Sequence, residues 1–224
     1  MNQANDYIFM YDCCLNTQDQ DSTILTNVKK IVAVPHRILW SLVGLLLTVG
    51  GTFIEAHFTS APWSWNQHGV QTTSLGVTYQ IGAVLLVGCL GGKTAGALSQ
   101  IAYVVLGLTW LPVFYQGGGI SYLNQPYFGY LLGFIPGAWV CGSLAFQTST
   151  KLESLTFSCL CGLLAIHLSG LGYLLLNYVI GTGLIQTPLL EAVLRYSVYP
   201  LPGHLVISCT VAVLSYCLRY VMLY

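Results

Sequence analysis

The chain has 224 residues, 55% of them hydrophobic and only 6% charged, with a formal net charge of zero and a mean hydropathy of +0.69. Soluble domains carry about a quarter charged residues, so this composition excludes a water-covered surface and leaves an all-α integral membrane protein as the class. No basic block is present to meet nucleic acid.

Residues 1–33 are polar and aperiodic, with four aspartates, and read as a flexible tail ahead of a membrane domain spanning 34–224. Six apolar spans follow, at about Ile38–His57, Val77–Gly91, Ala95–Tyr115, Tyr127–Phe146, Leu155–Ile185 and Gly203–Tyr224. The fifth is long, but no charge or proline within 164–172 supports a hairpin, so it is read as one tilted helix. With six spans, Lys29, Lys30, Arg37, Lys93, Lys151 and Arg219 fall on one side, and only Arg195 on the other. That asymmetry marks the cationic side as cytoplasmic and puts both termini there, in a multi-pass protein of the cell membrane.

Small residues recur every four positions, at Gly88, Gly92 and Gly96 and again at Gly129, Gly133, Gly137 and Cys141. Such stripes let helix backbones come close, either within the subunit or against a partner membrane subunit. Pro136 falls in the second stripe and is expected to bend its helix. On the outer side, the 58–76 loop holds Trp63, Trp65, Asn66, Gln67 and His68, and 188–199 reads as an amphipathic surface helix. Between spans three and four runs an uncharged, glycine-rich loop containing Gly117, Gly118 and Gly119, read as part of a small-molecule site.

The eight cysteines lack CxxC or Cys/His zinc spacing, so no metal site is expected, and the six within apolar spans read as small hydrophobes. Gly91-Gly92-Lys93-Thr94 ends like a phosphate-binding loop, but Val87 stands where the first glycine belongs. Enzyme constellations such as G-x-S-x-G, H-E-x-x-H or paired carboxylates are missing, which favours binding and transport over catalysis. Glu55, near the outer end of the first span, reads either as a ligand contact or proton carrier or as an interfacial residue paired with His57. His167 reads as a helix–helix hydrogen bond and Asn177 as a group able to reach a cavity. Gln80, beside Tyr79, offers a donor and an acceptor to a ligand.

The segments VTYQIGAVLLVGCLGGKTAGALSQIAYVVLGLTWLPVF, QGGG, FGYLLGF and, late in the chain, YPLPGHL resemble the BioY family in the right order and over about a third of the chain. BioY proteins are the biotin-specific S components of energy-coupling factor (ECF) vitamin transporters. The resemblance implies a six-helix S-component fold, biotin captured at the outer face, and no cofactor. It also implies, as partners, a transmembrane coupling subunit and two ATPases. Two positions depart from the family pattern: His204 and Ile207 stand where Asp and Lys are usual. On this reading Gln80, Asn177 and His204 meet the ureido ring, and the N–H groups of Gly117 to Gly119 form an anion nest for the carboxylate, aided by Arg195. Trp65, Tyr103 and Tyr130 would hold the thioether ring and tail. Gly129, Gly133 and Gly137 are the expected partner interface. The same fold tuned to another vitamin or heterocycle, or a membrane interaction subunit, are the other readings.

Overall fold

A computed structural model describes residues 34–59, 72–115, 117–147, 150–181 and 188–222. The expected tail and the 63–68 loop cluster, Trp65 included, lie outside the described residues. Met1–Leu39 and Trp40–Tyr224 separate as two units, the second of which holds the buried core. Helix α1 covers Val34–Thr52. Strands β1 (Glu55–Thr59) and β2 (Thr72–Thr78) come next, then α2 (Gln80–Thr109), a 3-10 turn (Ile120–Asn124), α3 (Phe128–Ala145) and α4 (Leu152–Ile180). A short α5 (Leu189–Val193) runs through a π-turn (Leu194–Val198) to α6 (Leu201–Met222).

Helix α2 is not one rod. Gly92 has φ 80° and ψ 176°, backbone that only glycine adopts readily. The chain reverses there. A Cβ built on Gly96 would lie 3.3 Å from Gly88 Cα, whereas eight residues of unbroken helix would separate them by about 12 Å. Gln80 Nε2, at the far end of the first arm, donates to Tyr103 Oη on the second at 2.8 Å. The two arms, 80–91 and 93–109, therefore run antiparallel, and with α1, α3, α4 and α6 they make six helical segments; among the described residues five helices, α2 counted whole, are long and apolar enough to cross a membrane, against the six spans expected. The doubtful fifth span is a single helix, as expected, and α3 continues through Pro136.

The exterior identifies the solvent. Leu46, Leu164, Leu168, Leu175 and Val213 are exposed along the helices, while Thr48, Thr52, Gln100 and Ser99 are buried between them. Several of these buried polar groups bond one another or nearby carbonyls: Thr48 Oγ1 donates to Gly44 O at 2.8 Å and accepts from Gln100 Nε2 at 3.1 Å. An apolar outside over a hydrogen-bonded inside is what lipid demands.

Glycines set the helix spacing. Gly133 faces the backbone of Ile166 in α4, with its carbonyl 2.8 Å from where a Cβ would stand. Gly137 and Gly162 face each other's helices across the same seam, and Gly142 meets the Gly92–Lys93 backbone. Gly129 lies against Tyr173. The expected partner interface at Gly129, Gly133 and Gly137 is thus corrected: α4 already covers it.

Two further corrections concern the ends of spans. The first helix stops at Thr52, and 55–59 joins an antiparallel hairpin with β2, in the register His57↔Ser74, Phe58↔Thr73 and Thr59↔Thr72. The fold is therefore helical with a two-stranded cap. Glu55 is exposed on that cap, accepting from Ser74 Oγ at 3.5 Å, and the His57 ring meets the Glu55 backbone carbonyl at 3.1 Å. Arg219, counted with the cations of the cytoplasmic side, is buried. Its Nη1 donates to Ala145 O at 2.8 Å, its Nε and Nη2 both donate to Cys89 O, and its guanidinium stacks 4.1 Å from the Phe146 ring centroid. It caps carbonyls at the ends of two helices, where the partial charge is negative.

Gly92→Ala should lower stability by about 1–3 kcal/mol, because its backbone conformation excludes a Cβ although space is available. Gly172→Ala, in open space on α4, should be neutral or slightly stabilising. Thermal unfolding of detergent-purified protein compares the two.

Candidate binding site

Opposite the Gly92 turn, the hairpin, α2, α3, the π-turn and α6 enclose a cavity of about 510 Å³, within the size range of small-molecule sites. Its wall is largely phenolic: Tyr103, Tyr115, Tyr122, Tyr127, Tyr130 and Tyr196. Ile81, Leu131 and Phe134 supply apolar surface, and Gln80, Arg195 and His204 supply charge-bearing or amide groups.

The wall is braced from behind. Tyr103 is fully buried, donates to Val113 O at 3.1 Å, accepts from Gln80 Nε2, and lies 3.2 Å from Thr52 Oγ1. This hub orients Gln80. A run of ring contacts continues from Tyr103 to Phe114 at 5.3 Å, Phe114 to Tyr122 at 4.5 Å, and Tyr122 to Tyr127 at 5.4 Å. Tyr127 in turn faces Tyr196 at 6.1 Å. Burial pushes the Tyr127 phenol above its ordinary value, keeping it a neutral donor.

A second chain of polar groups holds the other side. Tyr130 Oη meets Ser197 Oγ at 2.5 Å, Ser197 Oγ meets His167 Nδ1 at 3.4 Å, and His167 Nε2 meets His204 Nδ1 at 3.3 Å. Four elements, α3, the π-turn, α4 and α6, are tied together through it. His167 is the helix–helix link expected of it, and Tyr130 and His204, at the two ends, are the members that reach the cavity.

The glycine loop behaves differently from expectation. Gly117 N–H donates to Phe114 O at 3.0 Å, and Gly119 N–H donates to Gly107 O at 2.8 Å. A Cβ on Gly118 would stand 2.7 Å from Gly107 O. Lacking side chains, the loop collapses onto the end of α2 and spends one N–H on Gly107 there and a second on Phe114 within the loop itself. An anion nest at Gly117, Gly118 and Gly119 is corrected accordingly, and Arg195 is the cation that lines the cavity. Of the other expected site residues, Gln80, Tyr103, Tyr130 and His204 converge on the cavity. Tyr79 instead lines an apolar groove beside Leu46 and Ile54, and Asn177 bonds the Tyr173 carbonyl at 2.9 Å without lining the cavity. Ile207 is buried against Gly82, away from the cavity lining. Tyr115, Tyr122, Tyr127 and Tyr196 were not singled out from sequence; the density of tyrosines at 115–130 and 196–199 was the available signal.

A helical membrane protein with a capped, tyrosine-walled cavity at one end is the class this geometry defines. The model described as "BioY family" matches residues 30–222. The chain belongs to the BioY family.

Among its relatives, a probable biotin transporter BioY of Lysinibacillus sphaericus is 43% identical over 130 residues, 57% of this chain and 59% of that protein. The biotin transporter BioY of Thermotoga maritima is 38% identical over 105 residues, 46% of this chain and 60% of that protein. An uncharacterized 21.2 kDa protein of Cyanophora paradoxa, in the psbX-ycf33 intergenic region, is 26% identical over 187 residues, covering 83% of this chain and 95% of that one. The fold is that of the S-component for biotin from an ECF-type ABC transporter, with a TM-score of 0.59 at 20% identity over 87% of this chain and 94% of that chain.

Tyr103→Phe keeps the ring and removes the hydroxyl, leaving Gln80 Nε2 and Val113 O without that partner. It should destabilise by about 1–3 kcal/mol, read as a fall in unfolding temperature relative to wild type.

Proposed function

We propose that this chain is the substrate-binding component of a vitamin uptake transporter and that its cargo is biotin. Family membership supports the transport role, and the names of the bacterial relatives support the cargo. The observation that carries the reading is the convergence of Gln80, Tyr130, Arg195 and His204, from four elements, on one tyrosine-walled cavity.

Biotin has a flat ureido ring, an apolar thioether ring with an aliphatic tail, and a terminal carboxylate. Gln80 and His204 supply the donor and acceptor that a ureido group needs, and the tyrosines and Phe134 flank apolar surface. Arg195 neutralises the carboxylate, the role first given to the glycine N–H groups. The cavity faces the exterior and both termini the cytoplasm, because the exposed Lys93 and Lys151 lie at the Gly92 end. Chemistry on the cargo is not part of the role: it is held by hydrogen bonds, ring faces and one cation. A coupling membrane protein and two ATPases supply the energy, and with Gly129, Gly133 and Gly137 covered, their contact lies on another face.

Equilibrium binding of radiolabelled biotin to detergent-purified protein should give a submicromolar Kd, weakened about tenfold or more by His204→Ala. Arg195→Ala should weaken biotin but not biotin methyl ester, which lacks the charge. Absence of biotin binding by folded protein would overturn the assignment of cargo.

A further inference from the structure

Away from the cavity, toward the Gly92 turn, three thiols meet. Cys89 lies on the first arm of α2, Cys141 on α3 and Cys159 on α4, all three buried, with every Sγ within 4.8 Å of the others. Cys89 Sγ is 3.5 Å from Cys141 Sγ and 3.6 Å from Cys159 Sγ. The small residues beside them make this possible. A Cβ on Gly88 would lie 3.3 Å from Cys141 Cβ, and one on Gly162 would lie 2.8 Å from it. Wherever the backbones approach this closely, short side chains fill the gap, and here all three end in sulfur.

Packing alone explains three small side chains. It does not explain the polar groups around them. Ser215 on α6 is fully buried, and among the described residues its hydroxyl has no oxygen or nitrogen partner, only the Cys89 sulfur beside it. An orphaned hydroxyl in a membrane interior is costly unless something accepts from it. Arg219, one turn further along α6, brings a buried positive charge within electrostatic reach of all three sulfurs. Its described partners are two backbone carbonyls and an aromatic ring, none of which carries the opposite charge. Among the described residues, a donor whose one neighbour is a thiol and a cation whose partners are all uncharged border the same cluster.

Three thiolates would answer both, but not alone, because they leave a net charge of minus two beside Arg219. A divalent cation bound to them brings the total, with Arg219, to zero. The distances fit as well. A metal–sulfur bond of about 2.3 Å in tetrahedral geometry sets sulfurs about 3.8 Å apart, a few tenths of an ångström from the two short edges seen. A disulfide would need one pair to close to about 2.05 Å and would leave the third thiol over.

We propose that Cys89, Cys141 and Cys159 form a three-thiolate site for a thiophilic divalent cation of the zinc type, with Ser215 and Arg219 donating to and balancing the bound sulfurs. On binding, each thiol releases its proton to the medium, and three metal–sulfur bonds form without oxidation or reduction. The ion ties α2, α3 and α4 together at the end remote from the cavity, and the Ser215 hydroxyl of α6 donates to a bound sulfur. The site is independent of what the cavity binds.

The test uses full-length protein in detergent under a non-thiol reductant, with Cys13, Cys14, Cys161, Cys209 and Cys217 replaced by serine and Cd²⁺ as the probe. Titration should raise an ultraviolet sulfur-to-cadmium charge-transfer band that saturates at one ion per chain, together with a rise in unfolding temperature. Cys159→Ala should abolish saturation at that stoichiometry, and Ser215→Ala should weaken Cd²⁺ binding about 10-fold or more while the unliganded protein keeps its size-exclusion profile. No charge-transfer band in folded protein, or a band unchanged by Cys159→Ala, would reduce the cluster to thiols packed as small apolar groups. A disulfide among the three under those conditions would overturn the proposal equally.

Discussion

Close approach of helix backbones is the constraint on which the rest of this molecule depends. In lipid no hydrophobic force draws helices together, so association depends on van der Waals contact, and small residues permit the most of it. Gly88, Gly96, Gly133, Gly137, Gly142 and Gly162 bring the arms of α2, α3 and α4 together until carbonyls and Cα atoms stand where side chains would otherwise be. At the opposite end tyrosines line a cavity instead. One chain thus has a tight end and an open one.

The two ends also handle polarity differently. At the tight end, helix-terminal carbonyls of α2 and α3 are met by one guanidinium, Arg219. At the open end, side chains satisfy one another in two chains that converge on the cavity, one through Tyr103 and one through Ser197 and His167. These chains fix the rotamers of Gln80 and His204, so the groups offered to a ligand are set before it arrives. Preorganisation of this kind lowers the ordering cost of binding.

Much of this was legible in the sequence, for reasons that differ by element. Span number and the unity of α4 came from length and charge placement, since both are one-dimensional properties. The reversal at Gly92 showed as a glycine and a lysine between two apolar runs. By contrast, β1 hid inside the end of the first span, because Ile54-Glu55-Ala56-His57-Phe58 reads equally as a helix end or a strand. The glycine loop advertised free N–H groups, yet nothing local could show that Phe114 and Gly107 would accept from them. The covered face of α3 was ambiguous for the same reason: a stripe shows that something comes close, not what. Cys89, Cys141 and Cys159 are far apart in the chain, so no motif spacing could have joined them. Partners distant in sequence are the part that periodicity does not encode.

The account rests on an outward-facing cavity closed around a biotin-like ligand, and cysteine accessibility in sealed right-side-out vesicles addresses both halves at once. With Tyr196→Cys placed at the cavity wall, in a background where the exposed Cys209 and Cys217 are replaced by serine, a membrane-impermeant maleimide should label that position from outside. Biotin should protect it. Labelling only after the vesicles are opened, or labelling indifferent to biotin, would contradict the account.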